Sequence, residues 1–401
     1  MRTGLLCVVF GVVVACGGAD TTLGNGDGGP GDDSGQGGDV NQPPSDGGGD
    51  SGDSGPTATC DGGLVACGQQ CVDTSTDKQN CGGCGIVCNT TCTAGVCQLI
   101  ASGCDAGVTS SVGDNACITI DGTNVYWGTG LVNGGSVWSV PKSGGCPQML
   151  IGGQSGPHGI ASDGTSVFFA DEGSSQSATG TVQSVPVGGG SPTSIATGQA
   201  FPLDVAVDAA NVYWTDQNDG SVWKSPKTNP SPVKLAGPAG QFHAGYLRVD
   251  ATNVYFTDPS GGVVKSVPIA GGNVTTLSTQ VSNTGHLAID GTTAYFASRG
   301  NTSSAMMTIA LNANQGTPNQ LVPNLPTLNG IETDGTSIWF AEASNVQPYQ
   351  QNTGEIHRVT IGGTNDAKLA SGQNGPNCIS VDSTSVYWIN TGGGMISKTG
   401  K

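Results

Sequence analysis

Three of the chain's four histidines, His158, His243 and His286, fall just before an apolar run, and acidic residues stand at comparable places. These are the residue types that accept or donate a proton near neutral pH, or hold a metal through a bare imidazole nitrogen. Asp204 and Tyr246 share with the histidines segments that lead into an apolar run. Asp171, Glu172, Asp216, Asp258 and Glu342 open segments that leave one. The histidines precede their apolar residues Ile160, Leu247 and Leu287 at different offsets, and no pair has the short spacing of metal ligands. No metal site and no cofactor is expected. The chain also lacks a phosphate loop, a serine elbow and a catalytic cysteine context. An enzyme would have to draw a base and an electrophile from His286, His243 and Glu332.

What positions these residues is a repeat. The phrase read as "IxxDGTxVYW" begins at Ile118, Ile160, Val205, Leu247, Leu287, Ile331 and Ile379, with spacings of 42, 45, 42, 40, 44 and 48 residues. Each period holds an apolar strand ending at an Asp, a tight turn and an aromatic strand such as "VYWTD" at 212. A third strand such as "GSVWKSP" at 220 follows, then a fourth such as "PVKLAGP" at 232. Four strands in about 40 to 45 residues is the size of one propeller blade, and seven copies predict an all-β, seven-bladed β-propeller.

Side chains alternate across a strand, so an inner strand sandwiched between two blades must be apolar on both faces. Tyr213 is expected to face one neighbour, and Val212 and Trp214 the other. Fourteen of the 21 aromatic residues sit in the seven repeated pairs, an allocation that speaks for packing. The repeated Asp121, Asp163, Asp208, Asp250, Asp290, Asp334 and Asp382 fit a turn whose carboxylate accepts nearby backbone amides.

The seventh unit reaches Lys401 after its third strand, while "VCQLIAS" at 96 to 102 reads like the fourth-strand segment "DAKLAS" at 366. Residues 98–103 are therefore expected to complete the last blade, within a propeller spanning 98–401. Such closure removes an exposed sheet edge. Cys117 directly precedes the first strand of blade 1, and Cys378 holds the same place in blade 7. A disulfide between them is expected across the seam, with Cys104 and Cys146 paired by elimination.

Upstream, residues 60–97 hold Cys60, Cys67, Cys71, Cys81, Cys84, Cys88, Cys92 and Cys97. A segment this short cannot build a core of its own, and its cysteines are expected to form four disulfides, for which 105 connectivities exist. Zinc is the rival reading, prompted by "CGGC" at 81, but the segment contains no histidine. Residues 16–59 are Gly, Asp, Ser and Pro-rich, and Gly17 to Thr59 carries eight aspartates with no Lys, Arg or aromatic residue. Such a composition predicts a disordered spacer with a reach of roughly 35 Å. Residues 1–15 read as an export signal, because the apolar stretch is about half of the roughly 20 residues a membrane span needs.

The formal net charge of −17 and the absence of a Lys/Arg cluster argue against nucleic acid as a partner. "VVAC" at 13 resembles the lipobox of bacterial lipoproteins, with Val13 where that family more often has Leu. This resemblance implies acylation of Cys16 and a membrane tether, with the outer membrane or cell surface favoured. "CGQQCVDTSTDKQNCGGCGIVC" resembles the module of plant stigma-specific cysteine-rich proteins and of similar bacterial surface lipoproteins. "LDVAVDAANVYWTDQNDGSVWKSP" at 203 to 226 resembles the YWTD propellers of lipoprotein-receptor ectodomains, although those have six blades.

This resemblance implies a protein-binding or scaffolding propeller, and the tethered chain is expected to be a monomer whose ligand is a protein or a glycan. The contact surface is expected at one mouth of the channel, on the loops of blades 2 and 6, through His158, Asp171, Glu172, Asp204, His243, His286, Glu342 and Tyr349. An enzyme, a lyase or hydrolase similar to the seven-bladed antibiotic-cleaving lyases in blade number only, is the less favoured alternative.

Overall fold

The computed structural model describes residues 60–100, 117–129, 134–173, 178–237, 243–300, 303–343, 353–392 and 394–401. Seven antiparallel sheets follow one another in chain order. Their first strands are Ile118–Ile120, Pro157–Ser162, Pro202–Val207, Leu247–Val249, Thr284–Ile289, Thr327–Thr333 and Pro376–Val381. Each pairs with an aromatic second strand, that with a third, and the third with a fourth on the outside, giving the predicted seven blades. Among the described residues no helix is long and apolar enough to cross a membrane.

The aromatic second strands form because their alternation serves two cores at once. Tyr213 packs on Leu247, Val254 and Phe256 of blade 4, while Val212 and Trp214 pack on Phe168, Val182 and Ile195 of blade 2. All fourteen aromatic residues of the pairs are buried. Each burial of this kind contributes about 1.5–3 kcal/mol. The turn before each aromatic strand is held by its aspartate. Asp208 Oδ1 accepts the amides of Ala210 and Asn211 at 2.7 and 2.6 Å, and the other six aspartates repeat the pattern.

In five blades the remaining carboxylate oxygen accepts a tyrosine hydroxyl, as in Tyr213 to Asp208 at 2.6 Å. Burial raises the pKa of Asp208, but the Tyr213 hydroxyl and the turn amides outweigh it and hold the group below the ordinary range.

The ring closes where the two ends of the propeller segment meet. Val96–Gln98 pairs with the third strand of blade 7, Met395–Gly400, as its fourth strand, and Leu99 N donates to Ile396 O at 2.8 Å. Thr91–Thr93 adds a fifth strand outside it. Ala101, Ser102 and Gly103 of the predicted closing segment lie outside the described residues.

The cysteine module is fastened to this seam. Its disulfides are Cys60–Cys71, Cys67–Cys84, Cys81–Cys92 and Cys88–Cys97. Cys81, Cys88, Cys92 and Cys97 pack into one core with Ile118, Trp127 and Ile396 of blades 1 and 7. Lys398 donates to Val87 O at 2.7 Å, and burial lowers its pKa to about 8. Cys117 and Cys378 are disulfide-bonded across the seam. Cys146 is also disulfide-bonded, while Cys104 lies outside the described residues.

Candidate active site at the channel mouth

The residue just before six of the seven repeated apolar positions lines the central cavity: Cys117, Asp204, Tyr246, His286, Gly330 and Cys378, with Gly159 at the equivalent position of blade 2. Two residues further along, Arg248 and Glu332 face the same cavity, whose volume is about 250 Å³ and which is lined by all seven first strands. Alternation along a strand explains the two tiers, because positions two apart share a face. The channel thereby collects ionisable groups from blades 3 to 6 and both sulfurs from the seam.

His286 is the centre of this group. Its ring is buried and stacks on Tyr246 with centroids 3.9 Å apart. Nε2 lies 3.3 Å from Cys378 Sγ and 3.9 Å from Cys117 Sγ. On the other side Arg299 Nη2 is 3.5 Å from Nδ1, and Arg299 Nε donates to Leu328 O at 3.2 Å. Gly285 makes room for that guanidinium, since a Cβ there would meet the Arg299 side chain within 3.1 Å. Burial, reinforced by the charges of Arg299, Arg248 and His158, holds His286 well below the usual histidine range. The ring is therefore neutral. A guanidinium only donates, so Nδ1 is the acceptor and Nε2 carries the hydrogen that points at the sulfurs.

His158 has the opposite tautomer. Its Nδ1 is 3.0 Å from Leu203 O, a group that only accepts, so Nδ1 carries the hydrogen and Nε2 is bare. Burial lowers its pKa to about 4. Glu172 Oε1 stands 4.0 Å from that bare nitrogen. Burial, with the charge of Asp171 adding to it, raises Glu172 to about 7. Burial pushes Tyr246 up to about 12, its phenol feeling the charges of Arg299, Asp204 and Glu172. Asp204, also raised by burial, accepts Leu247 N at 3.0 Å and lies 3.7 Å from Arg248 Nη1. Arg248 Nη2 in turn reaches Glu332 Oε2 at 3.5 Å.

The expected site residues thus separate. Asp204 and His286 line the channel cavity, while the buried His158 and its neighbour Glu172 stand behind that lining, close enough for their charges to act on His286 and Tyr246. Asp171 beside them takes Ser155 N on both carboxylate oxygens, at 3.1 and 3.0 Å, which is a loop-holding role. His243 is exposed on the rim with its Nδ1 2.8 Å from Ser260 Oγ, so the trio of His286, His243 and Glu332 is not brought together. Glu342 lies on blade 6 with its Oε1 3.7 Å from His357 Nε2, and Tyr349 lies outside the described residues.

Sequence reasoning missed Tyr246's stacking role, Arg248 and Arg299. Aligning the single residue before each repeat would have shown the first tier. Arg299 has no such signal, because it acts from the end of a second strand, Thr293–Arg299.

Cys117, His286 and Cys378 place one donor atom each within 4.8 Å of one another, a geometry suited to a metal or ligand. With the two sulfurs bonded to each other, neither is a thiolate donor, and the pair forms a wall of the cavity.

No protein-family model matches the chain, and no curated protein matches it. Several solved structures share its fold. A streptogramin B lyase is 14% identical with a TM-score of 0.56, covering 76% of this chain and 96% of that one. A catalytically inactive histidine-to-alanine variant of virginiamycin B lyase from Staphylococcus aureus, with quinupristin, is 12% identical with a TM-score of 0.55, covering 76% and 99%. A GH74 enzyme from Niastella koreensis is 14% identical with a TM-score of 0.53, covering 72% of this chain and 53% of that one. At these identities the likeness is one of fold.

The expectation that favours a non-catalytic module over an enzyme is corrected here. The cluster of half-buried Cys117 with buried His286 and Cys378 has a geometry suited to a ligand, and the fold is shared with two lyases and a GH74 enzyme.

Proposed function

We propose that this propeller is a bond-cleaving enzyme of the lyase or hydrolase type, with its site at the channel mouth. The observation that carries this is the pairing of His158 with Glu172. Acid–base catalysis needs two groups whose environments push their pKa values apart, one bare and one protonated at the working pH. His158, lowered to about 4, offers Nε2 as the base. Glu172, raised to about 7, holds a proton as the acid. Arg248, in the adjoining cavity, is placed to face negative charge that develops on a reacting group. The fold shared with two lyases supports this reading over a scaffold. We further place the enzyme outside the cytoplasm on a lipid at Cys16, a reading supported by "VVAC" and by the disulfide-rich module.

The test is cleavage by the purified full chain of a compound panel headed by quinupristin, the molecule held by the S. aureus lyase variant. Mass spectrometry distinguishes the chemistries, because lyase products sum to the starting mass and hydrolase products to that mass plus one water. Glu172→Gln and His158→Ala are each expected to lower the cleavage rate by about 10²–10⁴-fold. Equal rates in the wild type and both variants would remove this assignment.

A further inference from the structure

The seam disulfide has features that a purely structural bridge does not need. Both cysteines line the central cavity. They differ in access, since Cys117 is half-buried and Cys378 is 4% exposed. They also differ in surroundings. The Nε2 hydrogen of His286 points at Cys378 Sγ from 3.3 Å, against 3.9 Å for Cys117, with the fixed charge of Arg299 behind the ring.

A thiol–disulfide exchange runs fastest when the attacked sulfur is open and the leaving sulfur is stabilised as a thiolate. We propose that the Cys117–Cys378 bond is a thiol-exchange site, in which a low-molecular-weight thiol attacks Cys117 and expels Cys378 as a thiolate.

The electron pair of the incoming thiolate forms a bond to Cys117 Sγ, and the pair of the broken S–S bond leaves on Cys378 Sγ. The product is a mixed disulfide at Cys117 and a thiolate at Cys378 that accepts the His286 Nε2 hydrogen bond. Return attack by Cys378 on Cys117 expels the small thiol and restores the bridge. A second small thiolate instead attacks the adduct's outer sulfur, releases a small symmetrical disulfide and leaves both cysteines reduced. The cavity of about 250 Å³ has room for a molecule the size of an amino acid. This inference goes beyond the enzyme reading and does not depend on it.

The experiment uses the folded full chain, free cysteine as the thiol, N-ethylmaleimide as the quench, and peptide mapping. No enzyme substrate is involved, so its failure is separate from failure of the catalytic assignment. Exposure by itself opens Cys60–Cys71 and Cys67–Cys84, so the comparison is with the buried Cys81–Cys92 and Cys88–Cys97.

The expected map has cysteine on Cys117, maleimide on Cys378, and both buried module bridges closed. His286→Phe, which keeps a ring against Tyr246, is expected to slow the opening by about ten-fold by removing the donor to the leaving sulfur. The proposal is overturned if the seam bridge stays closed alongside the buried pair. It is also overturned if the adduct divides equally between Cys117 and Cys378. Both readouts come from the wild type, so they stand even where the variant does not fold.

Discussion

Lys401 Nζ lies 2.8 Å from Asp334 Oδ2 and 4.2 Å above the ring of Trp339. Lys227 does the same in blade 2, 2.7 Å from Asp163 Oδ2 and 5.2 Å from the Phe168 ring. These are the two blades whose aromatic pair has no tyrosine to bond the turn aspartate. Each lysine comes from the next blade and stands in for the missing hydroxyl, so the turn is closed and two blades are tied together. Lys227→Met is therefore expected to cost about 1 kcal/mol, and Phe168→Tyr in that background to recover most of it. Urea denaturation of the two variants checks this. An unchanged stability in Lys227→Met would leave the lysine without a structural role.

His357 makes a second prediction, of pH dependence. Its Nδ1 is 2.9 Å from Asp366 Oδ1, its Nε2 is 2.9 Å from Glu355 Oε2 and 3.7 Å from Glu342 Oε1, and its ring stacks on Phe340. Burial disfavours the charged ring, but the carboxylates of Asp366, Glu355 and Glu342 outweigh it and raise the pKa above the usual histidine value. A raised folded-state pKa stabilises the fold below the unfolded value of about 6.5, and that contribution is lost as pH rises through the folded pKa. The stability gap between wild type and His357→Gln is expected to be widest near pH 6 and to shrink above neutrality. A gap that widens with pH contradicts the assignment.

The architecture was legible because a blade repeats. Seven copies of one phrase report a period that no single strand could, and the Asp and aromatic positions are fixed by the turn and by the two-sided core. The tier that lines the cavity was only half legible. Cys117 and Cys378 were read as equivalent because both precede their strands, yet Tyr246 and His286 occupy that same place in blades 4 and 5. The repeat carries packing, whereas the site is where the repeat is broken, one residue per blade. Arg299 reaches His286 from another strand, a contact with no sequence period to announce it.

Cys16 supplies a prediction that needs no structure. If "VVAC" directs lipidation, cells expressing the chain incorporate labelled palmitate into it, and Cys16→Ser abolishes both the label and membrane fractionation. Labelling that survives the substitution would place the lipid elsewhere, and a wild type without label would make the export signal an ordinary one.

Glu172 allows the catalytic reading to be tested before a substrate is known. A carboxyl whose folded pKa is raised to about 7 is comfortable when protonated and costs stability once it ionises. The cost starts above the unfolded pKa and is complete only above the folded one. Glu172→Gln keeps the shape and cannot ionise, so it is expected to match the wild type near pH 4 and to exceed it at pH 8. The gain is about 1 kcal/mol, because water still reaches part of the side chain and screens it.

The same substitution removes the proton donor, so a gain in stability should coincide with a loss of cleavage, the pattern expected where function holds a group in an unfavourable state. Once a substrate is found, the wild-type rate is expected to need neutral His158, above about pH 4, and protonated Glu172, below about pH 7. Thermal unfolding of Glu172→Gln across pH 4 to 8 is the first measurement. A variant less stable than wild type at pH 8 would mean that the Glu172 carboxylate is a structural anchor, and the acid assigned to this site would have to be another group.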